Sequence, residues 1–459
     1  MFHGDMCILE TFAIGIHDEI QLSLFQKAVT IMKETNTSAD VPAALESICQ
    51  VWQEIARCKH CVVDKSQTRT PTCIALDIIA TVPSLLNQTN ENETIWKQML
   101  DPASGSGLLV AMMIHRTIVE SDILIDMKSD NESSDNKSIV DRESVDKNDI
   151  RDRQIIKNRK AQRNRLIHFC SQISKCVHAV DIDEMSCMLT RVSILCSMRP
   201  LTLIIDVEDP DTHCKDIVLD VVCTSAPMMR TNTWCMPNRF SSPHSRELLL
   251  DMYYDIIIQN PPYRNMSREF QENKGRAFSF LNEKNEIESQ DDNISTDSNP
   301  WSNFQHHNLY GYFLELGRRM ARPKVGIMTA VVLRNVFDLH KYPGDVSFHH
   351  LLLTKTTILR IRYNAVNSFD CLPHDARHTD GIATVTITLR AGVADENHSV
   401  VVVNQGIGGD TETKELVLQK ELMECGLGVT DVMLCSKYSR ELLIEKWLNE
   451  KTAMKVSRT

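Results

Sequence analysis

The amino-acid sequence predicts an α/β protein with a mostly parallel sheet and an antiparallel end. Three observations predict this class. Strand-like and helix-like segments alternate along the chain, as in sheets whose strands are joined by helices. The glycine-rich turn "DPASGSG" lies between a short apolar segment and an amphipathic stretch, as at the first junction of doubly wound sheets. The runs "TTILRIRYN" and "GIATVTITLRAG" resemble a closing strand pair, and the second alternates with period two.

Charge and targeting signals limit the function classes. The chain has 459 residues and a formal net charge of −11. This charge argues against a uniformly basic surface that binds nucleic acid, but not against a local basic groove. The N-terminus is acidic and lacks the layout of a signal peptide. No apolar run approaches the roughly 20 residues that span a bilayer. We therefore expect a soluble, intracellular protein of the cytoplasm or nucleus that is not secreted.

The cysteines do not predict a metal site. The chain has 15 scattered cysteines, and an intracellular setting keeps thiols reduced. Cys58 and Cys61 in "CKHC" have the spacing of zinc ligands, but no second pair follows at a usual distance. Semi-buried cysteines are the better interpretation.

The first 65 residues predict a helical N-terminal extension. Apolar positions recur at three and four residues in "IQLSLFQKAVTIM" and "ALESICQVWQEI". A loop with Thr70 and Pro71 follows, and then a new helix, since proline suits a first helical turn.

Two polar insertions interrupt the alternating pattern, at about 121–165 and 282–308. Their composition cannot bury enough apolar surface to fold alone, so we expect mobile segments. The first insertion ends in a basic run, "RDRQIIKNRKAQRNR". A solvated charged loop is the favoured interpretation of that run, with phosphate contact or an import signal as alternatives.

The glycine turn and the next strand predict a ligand crevice. Gly105 and Gly107 remove side chains where a ligand approaches the backbone. "VHAVDIDE" then ends a strand at Asp181, and a carboxylate there can accept hydrogen bonds from ribose hydroxyls. Asp183 is the second candidate for this role. Either aspartate could equally be a helix cap.

The segment "YYDIIIQNPPY" predicts a site for a planar amine. Asn260 follows a buried strand, so its amide lies at the carboxyl edge of the sheet. Pro261 and Pro262 lack N–H donors and keep their carbonyl acceptors. Two fixed acceptors suit a substrate with an –NH2 group, and Tyr263 adds a flat face for its ring. A simple turn would not need this order of residues.

Together these segments resemble the S-adenosylmethionine-dependent amino-methyltransferases, and above all the gamma-type adenine-N6 DNA methyltransferases of restriction-modification systems. The order of motifs is matched over about 66–390: "TRTPTCIALDII", "DPASGSGLLV", "AVDIDE", "YDIIIQNPPY", "LYGYFLELGRRMARPKVGIMTA" and "NAVNSFDCL". The resemblance implies a Rossmann-like class I methyltransferase fold with a seven-stranded sheet, and a catalytic domain over 66–390. It leaves 391–459 as a small C-terminal segment without an evident full target-recognition domain.

The resemblance also implies a role for each matched residue. Asn260 and Pro261 would accept hydrogen bonds from the adenine N6 amine, with Pro262 and Tyr263 completing the catalytic motif. Tyr263 and Phe369 would clamp a base flipped out of duplex DNA. The residues implied for S-adenosyl-L-methionine are Thr70, Pro71, Asp101, Pro102, Ala103, Gly105, Gly107, Asp181 and Ile182. No metal is implied.

Two departures from the family keep other functions open. The strand before the catalytic motif usually carries an aspartate, and here it offers Cys223, Thr224 or Ser225. The segment "ELVLQKELMECGLGV" and the segment "SRELLIEKWLNEK" resemble helices rather than a DNA reader. The alternatives are methyl transfer to RNA adenine, guanine N2 or protein glutamine, and a partner-dependent or degenerate cofactor-binding module. DNA is the expected partner, with a separate specificity subunit or homo-oligomer as a further possibility.

Overall fold

The computed structural model divides the chain into two compact units. The first unit comprises Met1–Val63 and Pro83–Arg230, and the second comprises Asp64–Val82 and Thr231–Thr459. The residues that the structure describes are 19–57, 70, 72–88, 94–121, 161, 164–165, 168–169, 172–173, 175–181, 183–208, 229–230, 253–262, 313, 317, 320–323, 325–333, 354–362, 384–393, 399–405 and 412–418.

The helices and strands alternate as the sequence predicts. The helices of the described residues are α1 (Glu19–Glu34), α2 (Val41–Arg57), α3 (Thr72–Thr81), α4 (Leu108–Glu120) and α5 (Glu184–Glu208). The strands are β1 (Leu86–Gln88), β2 (Thr94–Trp96), β3 (Met99–Asp101), β4 (Val177–Asp181), β5 (Met229–Arg230), β6 (Ile256–Gln259), β7 (Ile327–Leu333), β8 (Thr354–Arg362), β9 (Thr384–Val393), β10 (Ser399–Gln405) and β11 (Glu412–Leu418).

The first unit contains a parallel array of three strands covered by helices. Strand β4 pairs in parallel with β3 on one side and with β5 on the other. Every residue of β3 and β4 is buried, as expected for a parallel strand that is covered on both faces. Helix α5 packs against α1, α2 and α4. The N-terminal helices therefore share a core with the helix that follows β4.

The apolar run "PLTLIIDV" has the sequence pattern of a strand, but a strand prediction for it is wrong. The segment continues α5, although Pro200 lies inside the helix and removes one intrahelical hydrogen bond. Short apolar runs cannot be assigned to helix or strand from periodicity alone. Buried residues on α5 before and after the proline, among them Met198 and Leu201, hold the helix against its neighbours.

The second unit contains the remaining strands of the predicted sheet. Strand β6 pairs in parallel with β7, and β9 pairs antiparallel with both β7 and β8. The predicted antiparallel end is therefore present in this unit, beside the parallel pair β6 and β7. The predicted class, a Rossmann-like class I methyltransferase fold, is confirmed.

Two further strands of the second unit were not predicted. Strand β10 pairs in parallel with β8, and β11 pairs antiparallel with β10. The start of "ELVLQKELMECGLGV" was predicted as helix, and its first four residues instead end β11. The run "SVVVV" in β10 is rich in β-branched residues, which favour strands, so this strand could have been found from the sequence.

Several sequence predictions fall outside the described residues. These include Cys58 and Cys61, the insertion at 282–308, nearly all of the insertion at 121–165, and the segment "SRELLIEKWLNEK". The predicted domain boundaries stay predictions. Among the helices of the described residues, none combines the length and the apolar character needed to cross a membrane.

Candidate active site

Asp101 ends β3 in a fully buried position. Its side chain is 0% exposed, and its Oδ1 accepts a hydrogen bond from the backbone N–H of Ala103 at 3.1 Å. The second carboxyl oxygen, Oδ2, is buried and has no hydrogen-bond partner among the residues that the structure describes. Burial raises the pKa of Asp101 to about 8, and the nearby Asp181 adds a smaller upward effect. A buried polar atom without a partner costs free energy, so this oxygen is suited to meeting a donor from a ligand.

Replacing Asp101 with asparagine is expected to flatten the pH dependence of stability. The ordinary pKa of 3.8 rises to about 8 in the folded chain, so between these values the folded state keeps a proton that the unfolded state has released. The contribution of Asp101 to stability is therefore fully present below about pH 4 and is lost as the pH rises through about 8. Asparagine stays neutral, so the melting temperature of the variant should exceed that of the wild type by about 2–6 °C near pH 8.

Thermal melts of both proteins at about pH 5 and about pH 8 check this expectation. The difference in melting temperature should grow toward the higher pH. Parallel changes in the two proteins would mean that Asp101 is ionised in the folded chain.

The loop between β3 and α4 depends on two glycines in left-handed backbone conformations. Gly105 has φ +55° and Gly107 has φ +80°, a region that other residues adopt at a cost. A Cβ on Gly107 would lie 2.6 Å from the Cα of Thr190, whereas a Cβ on Gly105 would meet the Trp52 ring at 3.7 Å. Gly107 is therefore required for close packing of the loop on α5, and Gly105 for backbone conformation.

Asp181 holds the glycine loop. Its Oδ2 accepts a hydrogen bond from the N–H of Gly105 at 2.8 Å, and its Oδ1 accepts one from the N–H of Asp183 at 2.9 Å. The N–H of Ser104 also donates to the carbonyl of Val180 at 3.0 Å. A carboxylate has about four acceptor positions, so these bonds are compatible with the ribose contact predicted from the sequence.

Asp183, the second candidate for that contact, caps α5. Its Oδ2 accepts from the N–H of Ser186 at 2.7 Å and from the Ser186 hydroxyl at 2.8 Å. A side chain that accepts from an N–H in the first helical turn satisfies a donor that the helix itself leaves unpaired. The helix-cap alternative therefore applies to Asp183.

The N-terminal helix α2 supplies two contacts to this loop that sequence reasoning missed. Trp52 is 4% exposed, lies beside Gly105, and donates from Nε1 to the Ser186 hydroxyl at 2.9 Å. The Ser106 hydroxyl donates to Cys49 Sγ at 3.2 Å. Both contacts join residues far apart in sequence. The helical extension thus packs directly on the candidate cofactor loop, and no local motif marked either residue.

The candidate catalytic motif begins where β6 ends in the second unit. Ile256, Ile257, Ile258 and Gln259 are all 0% exposed, whereas Asn260 is half-buried, Pro261 is buried and Pro262 is half-buried. The Asn260 side chain donates from Nδ2 to the Thr70 hydroxyl at 2.9 Å. The predicted placement of this amide at the end of a buried strand agrees with the structure, and Thr70 is its neighbour within the same unit.

Contacts at both ends fix β6. Gln259 donates from Nε2 to the carbonyl of Phe313 at 3.1 Å. At the other end, Asp255 forms an ion pair with Arg322, and the Asp255 carbonyl accepts from the N–H of Ile327 at 2.9 Å. The strand that precedes Asn260 is therefore held at its last residue, Gln259, and at Asp255, the residue before its first.

The structure describes most, but not all, of the predicted site residues. In the first unit it brings Asp101, Gly105 and Asp181 together, with Pro102 buried and Ala103 half-buried in the same loop. In the second unit it brings Thr70 and Asn260 together. The predicted residues that lie outside the described residues are Pro71, Ile182, Tyr263 and Phe369.

No functionally curated protein matches the chain in sequence. The chain is similar to the type IIG restriction endonuclease BpuSI, at 12% identity and a TM-score of 0.42, covering 84% of this chain and 34% of that one. It is also similar to a type I restriction-modification methyltransferase subunit from Streptococcus thermophilus, at 13% identity and a TM-score of 0.36, covering 83% and 51%.

A third similar structure is the M protein of the type I restriction enzyme EcoKI, at 13% identity and a TM-score of 0.31, covering 88% of this chain and 70% of that one. The chain thus spans about a third of the length of BpuSI. The family model "Eco57I restriction-modification methylase" matches residues 175–369, which include the end of the candidate cofactor site and the whole catalytic motif. Residues 175–369 are therefore similar to the restriction-modification methylases that this family model describes.

Proposed function

We propose that the chain transfers the methyl group of S-adenosyl-L-methionine to the N6 amine of adenine in DNA, with the target base flipped out of the duplex. The observation that carries this proposal is Asn260, an amide at the end of a buried strand, followed by two prolines whose carbonyls can only accept. The match of 175–369 to a restriction-modification methylase model supports DNA as the substrate.

Residues of the first unit fit the implied cofactor. The buried Asp101 Oδ2 has no partner among the described residues. The methionine part of S-adenosylmethionine carries an ammonium group, whose positive charge would favour the ionised carboxylate and which could donate to this oxygen. Gly105 and Gly107 keep side chains away from the loop backbone. When bound, the cofactor supplies a methyl group on a positively charged sulfur. We assign Asp101, Pro102, Ala103, Gly105 and Gly107 to its amino-acid part.

Asp181 and Ile182 would hold the nucleoside part of the cofactor. Asp181 already anchors the glycine loop through the Gly105 N–H, so one carboxylate would fix both the loop and the ribose. In the second unit, Thr70 and Pro71 come directly before α3. The sequence resemblance assigns these two residues to the methionine end.

The amine would be bound by acceptors only. Asn260 Oδ1 and the Pro261 carbonyl would accept the two N6 hydrogens, which aims the nitrogen lone pair at the methyl group. Orientation of this kind would lower much of the barrier to methyl transfer. The S–CH3 bond would break as the N–CH3 bond forms, leaving a neutral thioether. The methylated nitrogen would then release one proton to water, so no strong base is needed. Tyr263 and Phe369 would stack on the flipped base, and extrusion from the duplex costs a few kcal/mol.

Transfer of tritiated methyl groups to separate pools of DNA, RNA and protein tests the substrate class. We expect incorporation into DNA that depends on the chain and on the cofactor. Incorporation into RNA or protein alone would favour the alternative acceptors of an Asn-Pro-Pro-Tyr enzyme. Cofactor binding without transfer would favour a module that needs a specificity subunit or a second copy to engage DNA.

A further inference from the structure

An asparagine can assist the proposed reaction only when its amide points the right way. The oxygen end accepts hydrogen bonds and the nitrogen end donates them. The two orientations differ by a half-turn about χ2, a torsion with broad, roughly two-fold preferences. If the –NH2 end of Asn260 faced the substrate amine, two donors would oppose each other. The protein therefore needs a contact that distinguishes the two ends.

Thr70 contacts the nitrogen end of the Asn260 amide. Its Oγ1 accepts a hydrogen bond from Asn260 Nδ2 at 2.9 Å, and both side chains are half-buried. The amide nitrogen can only donate, whereas a hydroxyl can accept as well as donate. In the structure this bond holds the nitrogen end of the Asn260 amide at Thr70. In that orientation the oxygen end points away from Thr70.

The position of Thr70 is fixed by the frame that also carries Asn260. Helix α3 begins two residues after Thr70 and packs against β7 and β9. Its last residue, Thr81, lies 3.4 Å from Thr329 of β7, hydroxyl to hydroxyl. Strand β7 in turn pairs with β6, which ends just before Asn260. Thr70 and Asn260, 190 residues apart in sequence, thus belong to one packed frame within the second unit.

We propose that Thr70 is a positioning residue that fixes the side-chain amide of Asn260 with its oxygen toward the amine that receives the methyl group. This role differs from the cofactor contact that the sequence resemblance implies for Thr70. The proposal rests on the proposed methyl transfer for its kinetic consequence. Its structural consequence, an ordered Asn260 amide, can be measured without catalysis.

Paired substitutions at Thr70 test the role of the hydroxyl. Thr70→Val keeps the shape of the side chain and removes the acceptor, whereas Thr70→Ser keeps the hydroxyl. We expect kcat for methyl transfer to fall about 10-fold to 100-fold in Thr70→Val, a larger factor than any rise in the dissociation constant of the cofactor. Thr70→Ser should recover most of kcat, and Thr70→Ala repeats the test if the valine variant does not fold.

Thr81→Val is the matched control. Its hydroxyl bonds to the Ile78 carbonyl and to Thr329 at the far end of the same helix. Loss of this hydroxyl should lower the melting temperature somewhat and leave kcat unchanged. A similar loss of kcat in Thr81→Val would mean that any disturbance of α3 is sufficient to lower kcat. The proposed role of Thr70 would then be wrong.

Selective 15N labelling of asparagine gives the readout that needs no turnover. The side-chain NH2 signal of Asn260, assigned through its loss in Asn260→Ala, should shift or broaden in Thr70→Val and return toward its original position in Thr70→Ser. An unchanged signal would overturn the proposal. So would a Thr70→Val variant with wild-type kcat, or one that weakens cofactor binding with kcat intact. A wild-type chain that transfers no methyl group would refute the proposed function instead, and the NMR result would still decide the role of Thr70.

Discussion

Asn260→Ala is expected to reduce methyl transfer by at least about 10³-fold. The substitution removes the side-chain acceptor for the amine and leaves only the Pro261 carbonyl to orient it, so the nitrogen lone pair loses its alignment with the methyl group. Misplacement of reacting atoms by about 1 Å can cost about 100-fold in rate. Single-turnover transfer of labelled methyl groups to DNA measures the effect.

Two measurements separate this effect from unfolding. Cofactor affinity by calorimetry should change less than about two-fold, since the cofactor is assigned mainly to the loop around Gly105 and to Asp181. Asn36→Ala makes the same chemical change at an exposed position and should retain full activity. If Asn260→Ala kept wild-type activity on DNA, the proposed catalytic role of the Asn-Pro-Pro-Tyr motif would be wrong.

Gly107→Ala is expected to destabilise the first unit by about 2–5 kcal/mol and to weaken cofactor binding strongly. Gly107 lies at φ +80° just before α4, and an added Cβ would lie 2.6 Å from backbone of α5. A backbone atom cannot move aside as a flexible side chain can, so the loop or the helix must shift. Chemical denaturation measures the loss of stability, and calorimetry measures the loss of cofactor affinity.

Gly105→Ala serves as the control in the same loop. Its φ of +55° makes alanine unfavourable by about 1–2 kcal/mol, but the new Cβ would meet only the Trp52 ring at 3.7 Å. The loss of stability should therefore be clearly smaller than in Gly107→Ala. Equal losses in the two variants would mean that backbone conformation, rather than close packing on Thr190, decides the requirement for glycine.

The fold could be predicted where local patterns and long-range packing agree. The strand that ends at Asp181, the strand before Asn260 and the closing pair β8 and β9 all follow from apolar runs or alternation. The helical structure of the segment after Pro200 could not be predicted, because a proline followed by "LTLIID" has the local signals of a strand. Packing of α5 against three other helices decides its structure, and that information is not local.

The candidate site was predictable to the same degree. Glycines, strand-end aspartates and the Asn-Pro-Pro order mark their own positions in the sequence. The contacts of Trp52 and Thr70 have no such local signal. Trp52 has the sequence pattern of an ordinary core residue. The contact of Thr70 with Asn260 joins residues 190 positions apart. Such contacts depend on how helices pack on loops and strands, which a single sequence does not specify.

The most direct test of the central claim identifies the methylated product. DNA of mixed sequence is incubated with the full chain and S-adenosylmethionine, digested to nucleosides and analysed by mass spectrometry, beside Asn260→Ala as the control. We expect N6-methyladenine with the wild-type chain and none above background with the variant. Methylated cytosine without N6-methyladenine, or equal amounts of N6-methyladenine with both proteins, would contradict it.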